Sequence, residues 1–222
     1  FVGIGAIAAS GKGGVKSADN AIIKLDFSMP IPEKTDNVQT DFGSTSTSHL
    51  GLRHYMRLID NAANDINVKG IVINANSLQM GQATLLQLRA SLSKFKESGK
   101  FIYAYADSYS QSSYFLSSVS DSVFLNPNGD VGLQGYGTVI PFFKRMLDKV
   151  GVDFNVFYAG DFKSATEPFR REDMSPENRL QTREFLTGMI KVMKSEVGKS
   201  RKINETTLDA IMTDLKGRNG KL

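Results

Sequence analysis

A parallel α/β fold is the architecture this sequence predicts, and two observations predict it. Short apolar runs rich in Ile, Val, Tyr and Phe alternate with helix-periodic stretches from residue 21 to residue 200. That order is the signature of strands joined by right-handed helical crossovers in a parallel sheet. The composition fits as well: 222 residues, 41% of them hydrophobic and 23% charged, are ordinary for a globular domain. A chain of this length buries about 70% of its unfolded surface and needs no covalent staple.

The elements follow in order. Residues 1–10 are apolar and small but too few to cross a bilayer, which takes about twenty. They read as a terminus or as the tail of a membrane anchor. Residues 10–20, with Gly11, Gly13 and Gly14, read as a flexible linker. The expected division is therefore a flexible segment over 1–20 and a folded domain over 21–222. Ala21 to Phe27 is the first expected strand, and residues 30–47, with Pro30, Pro32 and many Ser, Thr and Asp, a surface loop. Leu52, Tyr55, Ile59 and Ala62 recur at 3-4-3 spacing and predict a helix. Val68 to Asn74 is apolar enough for a buried strand. Leu85, Leu88, Leu92 and Phe95 mark a second helix, closed by Gly99. Strands are expected at Phe101–Tyr105 and Ser122–Asn126, flanking a Ser-rich stretch with a helical centre. A helix over Phe142–Val150 ends at Gly151, and Asp153–Tyr158 reads as another strand. Ser175-Pro176-Glu177 opens a long helix: the serine caps, the proline suits the first turn and the acid complements the dipole. Leu186, Met189, Ile190, Met193 and Val197 supply its expected buried face, and a short helix over 205–215 ends the chain.

Composition excludes several chemistries. There are no cysteines, so disulfides, thiolate metal sites and cysteine nucleophiles are out. Only His49 and His54 are present. Five positions apart they lie about 140° apart around a helix, which disfavours a histidine metal centre. A Ser-His-Asp triad would have to rest on one of them. Both read as partly exposed helix residues. The net charge of +4 comes from small clusters such as Lys94-Phe95-Lys96, without the aromatic-laced basic stripe of a nucleic-acid surface. The glycines at 11–14 lack the spacing of a P-loop. No cofactor and no nucleic-acid partner are expected.

The most distinctive stretch is Gly160-Asp-Phe-Lys163-Ser-Ala-Thr-Glu167-Pro-Phe-Arg170-Arg-Glu-Asp173-Met-Ser175-Pro-Glu177. It follows an expected strand and precedes a capped helix, where functional residues concentrate. A lysine at its centre serves as a general base if burial disfavours its charged form and lets it accept a proton from a serine hydroxyl. Alternatively Lys163 is a solvated surface charge. The acids Asp161, Glu167, Glu172 and Asp173 either pair with Arg170 and Arg171 or gather around a metal; their spacing matches no metal motif.

This stretch resembles the lysine segment of the protease IV-type signal peptide peptidases, which carry Gly-x-x-Lys-Ser-Ala-x-Glu-Pro-Phe and then Asp-Met-Ser-Pro. The resemblance extends from about residue 20 to the end, through Val68-Lys-Gly-Ile-Val-Ile73 and the turn at Asn126-Pro127. It implies a crotonase- or Clp-peptidase-like superhelix of β-β-α units, within the α/β class. It implies a Ser-Lys dyad whose lysine lies in the amino-terminal domain, here Lys163, and whose serine lies in a homologous carboxy-terminal domain outside this chain. It further implies signal peptides as substrates, an anchor before residue 1, a tetramer or other homo-oligomer, and a place on the extracytoplasmic, periplasmic side of a bacterial inner membrane.

Two departures accompany the match. Where the catalytic domain carries Ala-Ser-Gly-Gly-Tyr, this chain has Ser110-Gln111-Ser112-Ser113-Tyr114, with glutamine in the nucleophile's position. The flanking serines do not replace it, because a one-residue shift turns a helical side chain by about 100°. Where that domain has a Ser-Pro-Gly-Gly turn for the oxyanion, this chain has Ser77-Leu-Gln-Met-Gly81. The serines at 108, 110, 112, 113, 117 and 118 read as packing and capping residues. The chain is expected to supply a base and a scaffold and to be inactive alone. The other readings are a catalytically dead assembly module and an acyl-CoA enzyme, the latter needing paired backbone donors that residues 77–81 do not suggest.

Overall fold

The computed structural model describes residues 18–33 and 50–217. Four strands, β1 (Ala21–Asp26), β2 (Val68–Asn74), β3 (Phe101–Ala106) and β4 (Ser122–Leu125), make one sheet in sequential order, every neighbour parallel. The class and the parallel sheet expected from sequence are both present. Between the strands run α1 (Leu52–Asn64), α2 (Gln82–Lys96) and α3 (Gln111–Ser117).

Alternation along each strand decides which residues face the helices. Leu25, Ile71, Ile73, Ile102, Ala104 and Ala106 share one face, and none is more than 2% exposed. Helix α1 packs against α2 and β2. Its Leu52, Ile59 and Ala62, with Leu85, Leu88, Leu92 and Phe95 of α2, complete the core. The 3-4-3 spacing forecast these residues; Tyr55 of the same set is half-buried, its ring 5.4 Å from that of Phe27.

The opposite face is aromatic and, among the described residues, only partly covered. Phe101 and Tyr103 stack at 4.6 Å, and Tyr103 meets Phe124 edge-on at 5.8 Å. Tyr103, Tyr105 and Phe124 are 39%, 42% and 51% exposed, whereas both faces of a parallel sheet are usually covered. Gly70 lies under this cluster: a Cβ there would sit 2.6 Å from the Phe101 ring and its carbonyl oxygen.

At their carboxyl ends the strands are tied by polar side chains. Asn74 donates to Asp26 at 2.8 Å and Asn76 to Asn74 at 2.9 Å. The Asp107 amide donates to Asn76 at 2.6 Å. Tyr105 and Asn126 donate to the Asp107 carboxylate at 2.8 and 3.1 Å and hold its pKa below the ordinary value.

The described residues form two compact units, one running through Gln134 and resuming at Val197, the other Gly135–Glu196. In the first, buried Arg89 donates to the Phe115 carbonyl, to Ser118 Oγ at 2.9 Å and to Ser200 Oγ at 2.7 Å, its guanidinium 4.7 Å from the centre of the Phe115 ring. The helix α7 (Glu205–Gly217) ends the described chain. The second unit holds α4 (Lys144–Lys149), a 3-10 turn (Ser164–Thr166), α5 (Glu167–Arg170) and most of α6 (Pro176–Arg201).

Two sequence expectations need correction. The segment expected as a strand over Asp153–Tyr158 is in no ladder: a strand exists only with a hydrogen-bonding neighbour, and none of the described residues pairs with it. Phe157 is 98% exposed. On α6, Met193 and Val197 are buried as expected, but Leu186, Met189 and Ile190 are only half-buried. The expected linker before residue 18, most of the expected loop over 30–47, and His49 lie outside the described residues.

Candidate functional site

The second unit builds the neighbourhood of Lys163 in steps. The chain leaves the extended segment at Tyr158 and turns at Gly160, whose φ of +85° suits a residue without a Cβ. The Lys163 amide donates back to the Gly160 carbonyl at 3.3 Å, closing the turn. The 3-10 turn and α5 follow at once, and Ser175 opens α6. Ser175 Oγ accepts from the Asn178 amide at 3.1 Å, so it is the helix cap that the sequence predicted.

Glu167 is the centre of this unit's polar interior. Its side chain is fully buried. Oε2 accepts from the Ser175 amide at 3.1 Å and from Asn178 Nδ2 at 2.8 Å, and Oε1 accepts from Ser175 Oγ at 2.5 Å. Arg170 Nη2 stands 3.7 Å from Oε1. Burial alone would push this carboxyl up, but the bonds from Ser175 and Asn178, with the Arg170 charge, outweigh it and hold the pKa below the usual 4.5. The same Arg170 donates to Thr166 Oγ1 at 3.3 Å and lies 3.9 Å above the Tyr158 ring. Tyr158 precedes Lys163 by five residues and Glu167 follows it by four, so the lysine loop is fastened at both ends.

Lys163 itself projects outward and is exposed. No hydrogen bond or ion pair joins its Nζ to another of the described residues. Three of the segment's four acids are engaged elsewhere: Glu172 with Arg145 at 2.5 Å, Asp173 with Arg171 at 3.3 Å, and Glu167 as above. Pairing with Arg170 and Arg171, one of the two uses the sequence left open for these acids, holds for Glu167 and Asp173; Glu172 pairs with Arg145 instead. The desolvation that a lysine base requires is not supplied by the described residues of this chain.

The regions corresponding to a nucleophile and an oxyanion pocket are used structurally. Ser110 caps α3, its Oγ accepting from the Ser113 amide at 3.1 Å. Ser113 and Ser118 turn their hydroxyls to the Ser110 and Phe115 carbonyls at 3.1 and 2.9 Å. Gln111 is the first helical residue. In the turn at 77–81, the Gln79 amide donates to the Phe27 carbonyl at 3.2 Å, so this N–H is not directed at a ligand. His54 sits exposed on α1. A cleft of about 430 Å³ in the second unit is lined by Tyr136, Met174, Arg179, Arg183, Leu186 and Ile190 among others; Lys163 is not one of its walls.

Sequence reasoning found the Ser175 cap and missed Asn178, whose link to Glu167 spans eleven residues and follows no periodic rule. It also missed Arg145, which reaches Glu172 from α4.

Comparison with known proteins bears on this segment directly. The description of peptidase family S49 matches residues 94–218, which include Lys163 and Glu167. Protease 4 of Haemophilus influenzae is 36% identical over 148 residues, 66% of this chain and 24% of that protein. Protease 4 of Salmonella typhi is 37% identical over 141 residues, 62% of this chain and 23% of that protein. The chloroplastic serine protease SPPA of Arabidopsis thaliana is 28% identical over 135 residues, 61% of this chain and 20% of that protein. The chain thus spans about a quarter of the length of the curated relatives it matches.

Proposed function

The chain belongs to peptidase family S49, and from that premise we propose that it is the lysine-bearing, amino-terminal part of a membrane-bound serine endopeptidase that degrades cleaved signal peptides. The observation that carries this reading is the family match over residues 94–218, which takes in Lys163. The lysine's amine is held out on a fastened loop, inside the family match, with every arginine-paired acid of the segment turned away from it. A lysine locked to a carboxylate is a poor base; one left unpaired becomes a base when a neighbour dries it.

In this reading the neighbour is a second, homologous domain carrying the serine. Its docking over Lys163 excludes water, disfavours the charged amine and brings the hydroxyl within reach. The neutral amine takes the serine proton as the oxygen attacks the peptide carbonyl, then returns it to the leaving amine. Neither an oxyanion turn nor a nucleophile is needed from the present chain, in keeping with the uses of Gln79 and the serines at 110, 113 and 118. The finer fold assignment, a crotonase-like superhelix over 21–222 after a flexible segment 1–20, belongs to the same proposal. So do homo-oligomeric assembly and anchoring on the extracytoplasmic face. No helix among the described residues is long and apolar enough to cross a membrane, so an anchor would lie outside them.

The test is Lys163→Ala in the full-length peptidase, assayed on an apolar signal-peptide substrate. Hydrolysis falls by at least about 1,000-fold, the scale set by removing one member of a nucleophile–base pair. A folded variant with an unchanged rate removes the lysine from the mechanism and leaves a crotonase-like assembly module as the better reading.

A further inference from the structure

We propose that Glu167 is a positioning residue for the proposed reaction: its buried carboxylate locks the Lys163 loop to the first turn of α6. This inference rests on the reading of Lys163 as the base. Its own evidence is geometric. A carboxylate with no exposed surface makes three hydrogen bonds, two to Ser175 and one to Asn178, all in the first turn of α6 or at its cap. Ser175 is fully used, donating its hydroxyl proton to Glu167 and accepting from the Asn178 amide.

A buried charge is a weak source of net stability, because desolvation offsets most of its attraction; well-packed apolar side chains often serve stability as well. What it adds is directional constraint. The three donors fix both oxygens, and the Arg170 guanidinium, placed beside Oε1 and over Tyr158, carries the constraint across to the other end of the loop. Between these two fastenings stand Gly160 and Lys163, tied by one backbone bond of 3.3 Å. Without the Glu167 carboxylate the loop would keep its backbone bonds, the Lys163 amide to the Gly160 carbonyl, the Glu167 amide to the Ser164 carbonyl and the Phe143 amide to the Pro168 carbonyl, but would lose its side-chain tie to α6. Displacing a catalytic group by about 1 Å is enough to slow a reaction by about 100-fold.

The experiment compares Glu167→Gln, Glu167→Asp and Asn178→Ala with the parent in the full-length peptidase, beside Lys163→Ala as reference. Each is assayed well below its own melting temperature. Glutamine keeps the shape but turns an amide donor toward donors that need an acceptor. Its kcat falls about 10- to 100-fold with KM within about two-fold, because the base and not the substrate site has moved. Aspartate, which keeps the charge on a shorter arm, recovers part of that kcat. Asn178→Ala removes one of three donors and gives a smaller loss in the same direction, which keeps the test intact if the glutamine variant does not fold. Folded variants at 167 and 178 with parental kcat overturn the positioning role while leaving Lys163 as the base if Lys163→Ala is dead. A fully active Lys163→Ala instead overturns the reading beneath both.

Discussion

At the scale of single residues, the contrast between Lys163 and Glu167 orders the site. The lysine is exposed and free of acid partners among the described residues; the glutamate four positions on is fully buried and has several polar partners. The glutamate's lowered pKa has a thermodynamic consequence. A carboxyl whose folded pKa lies below its unfolded value stabilises the fold above the unfolded value and loses that contribution as pH falls through the folded one. Denaturation of the chain at pH 7 and pH 3 should therefore show a loss of stability on acidification that is smaller in Glu167→Gln. At pH 7 the Glu167→Ala change leaves buried donors without acceptors and should cost about 1–3 kcal/mol. The family was legible in the sequence because the motif around Lys163 is long and specific. The lack of internal desolvation at Lys163 was not legible, since burial is a property of what lies over a residue in space. Asn178 was invisible for a related reason: it is a polar helix residue like any other until Glu167 is folded against it.

Elements were read best where one periodicity dominated. The stripe Leu85, Leu88, Leu92 and Phe95 in α2 is wholly buried, as its spacing demands. Leu92→Ala should therefore cost about 2–5 kcal/mol in chemical denaturation, while the neighbouring exposed Leu86→Ala should stay near zero. A cost below about 1 kcal/mol at Leu92 would show the core to be looser than its burial implies. Reading failed where an element needs a neighbour. Residues 153–158 have the composition of a strand, and Phe154, Phe157 and Tyr158 are all more than half exposed. Composition measures suitability for pairing and does not supply a partner. The half-buried Leu186, Met189 and Ile190 on α6 make the same point for a helix, where an apolar stripe marks a face without saying what covers it.

For the whole molecule, the relevant fact is that the chain matches only about a quarter of the length of its bacterial relatives. The purified chain 1–222 should show no peptidase activity on a signal peptide, and adding the remainder of the proposed enzyme should restore it. Turnover by the chain alone would mean that one of its own serines attacks. The parallel sheet was legible in the strand–helix alternation. The partly covered side of that sheet was not, because the alternating pattern in Phe101-Ile-Tyr-Ala-Tyr105 only says that two faces differ, and aromatic residues suit a covered face as well as a bare one.

That partly covered side governs how the chain behaves as a solute. The half-exposed rings of Tyr103, Tyr105 and Phe124 add less to cooperativity than buried ones, but they give two molecules something to share on collision. Light scattering from the chain should therefore climb with concentration and with added sulfate, which strengthens apolar association. Phe124→Glu should abolish that climb while moving unfolding by no more than about 0.5 kcal/mol, as befits a half-exposed position. The fold would then be judged by its denaturation curve and the aromatic face by its turbidity, two measurements that need not move together.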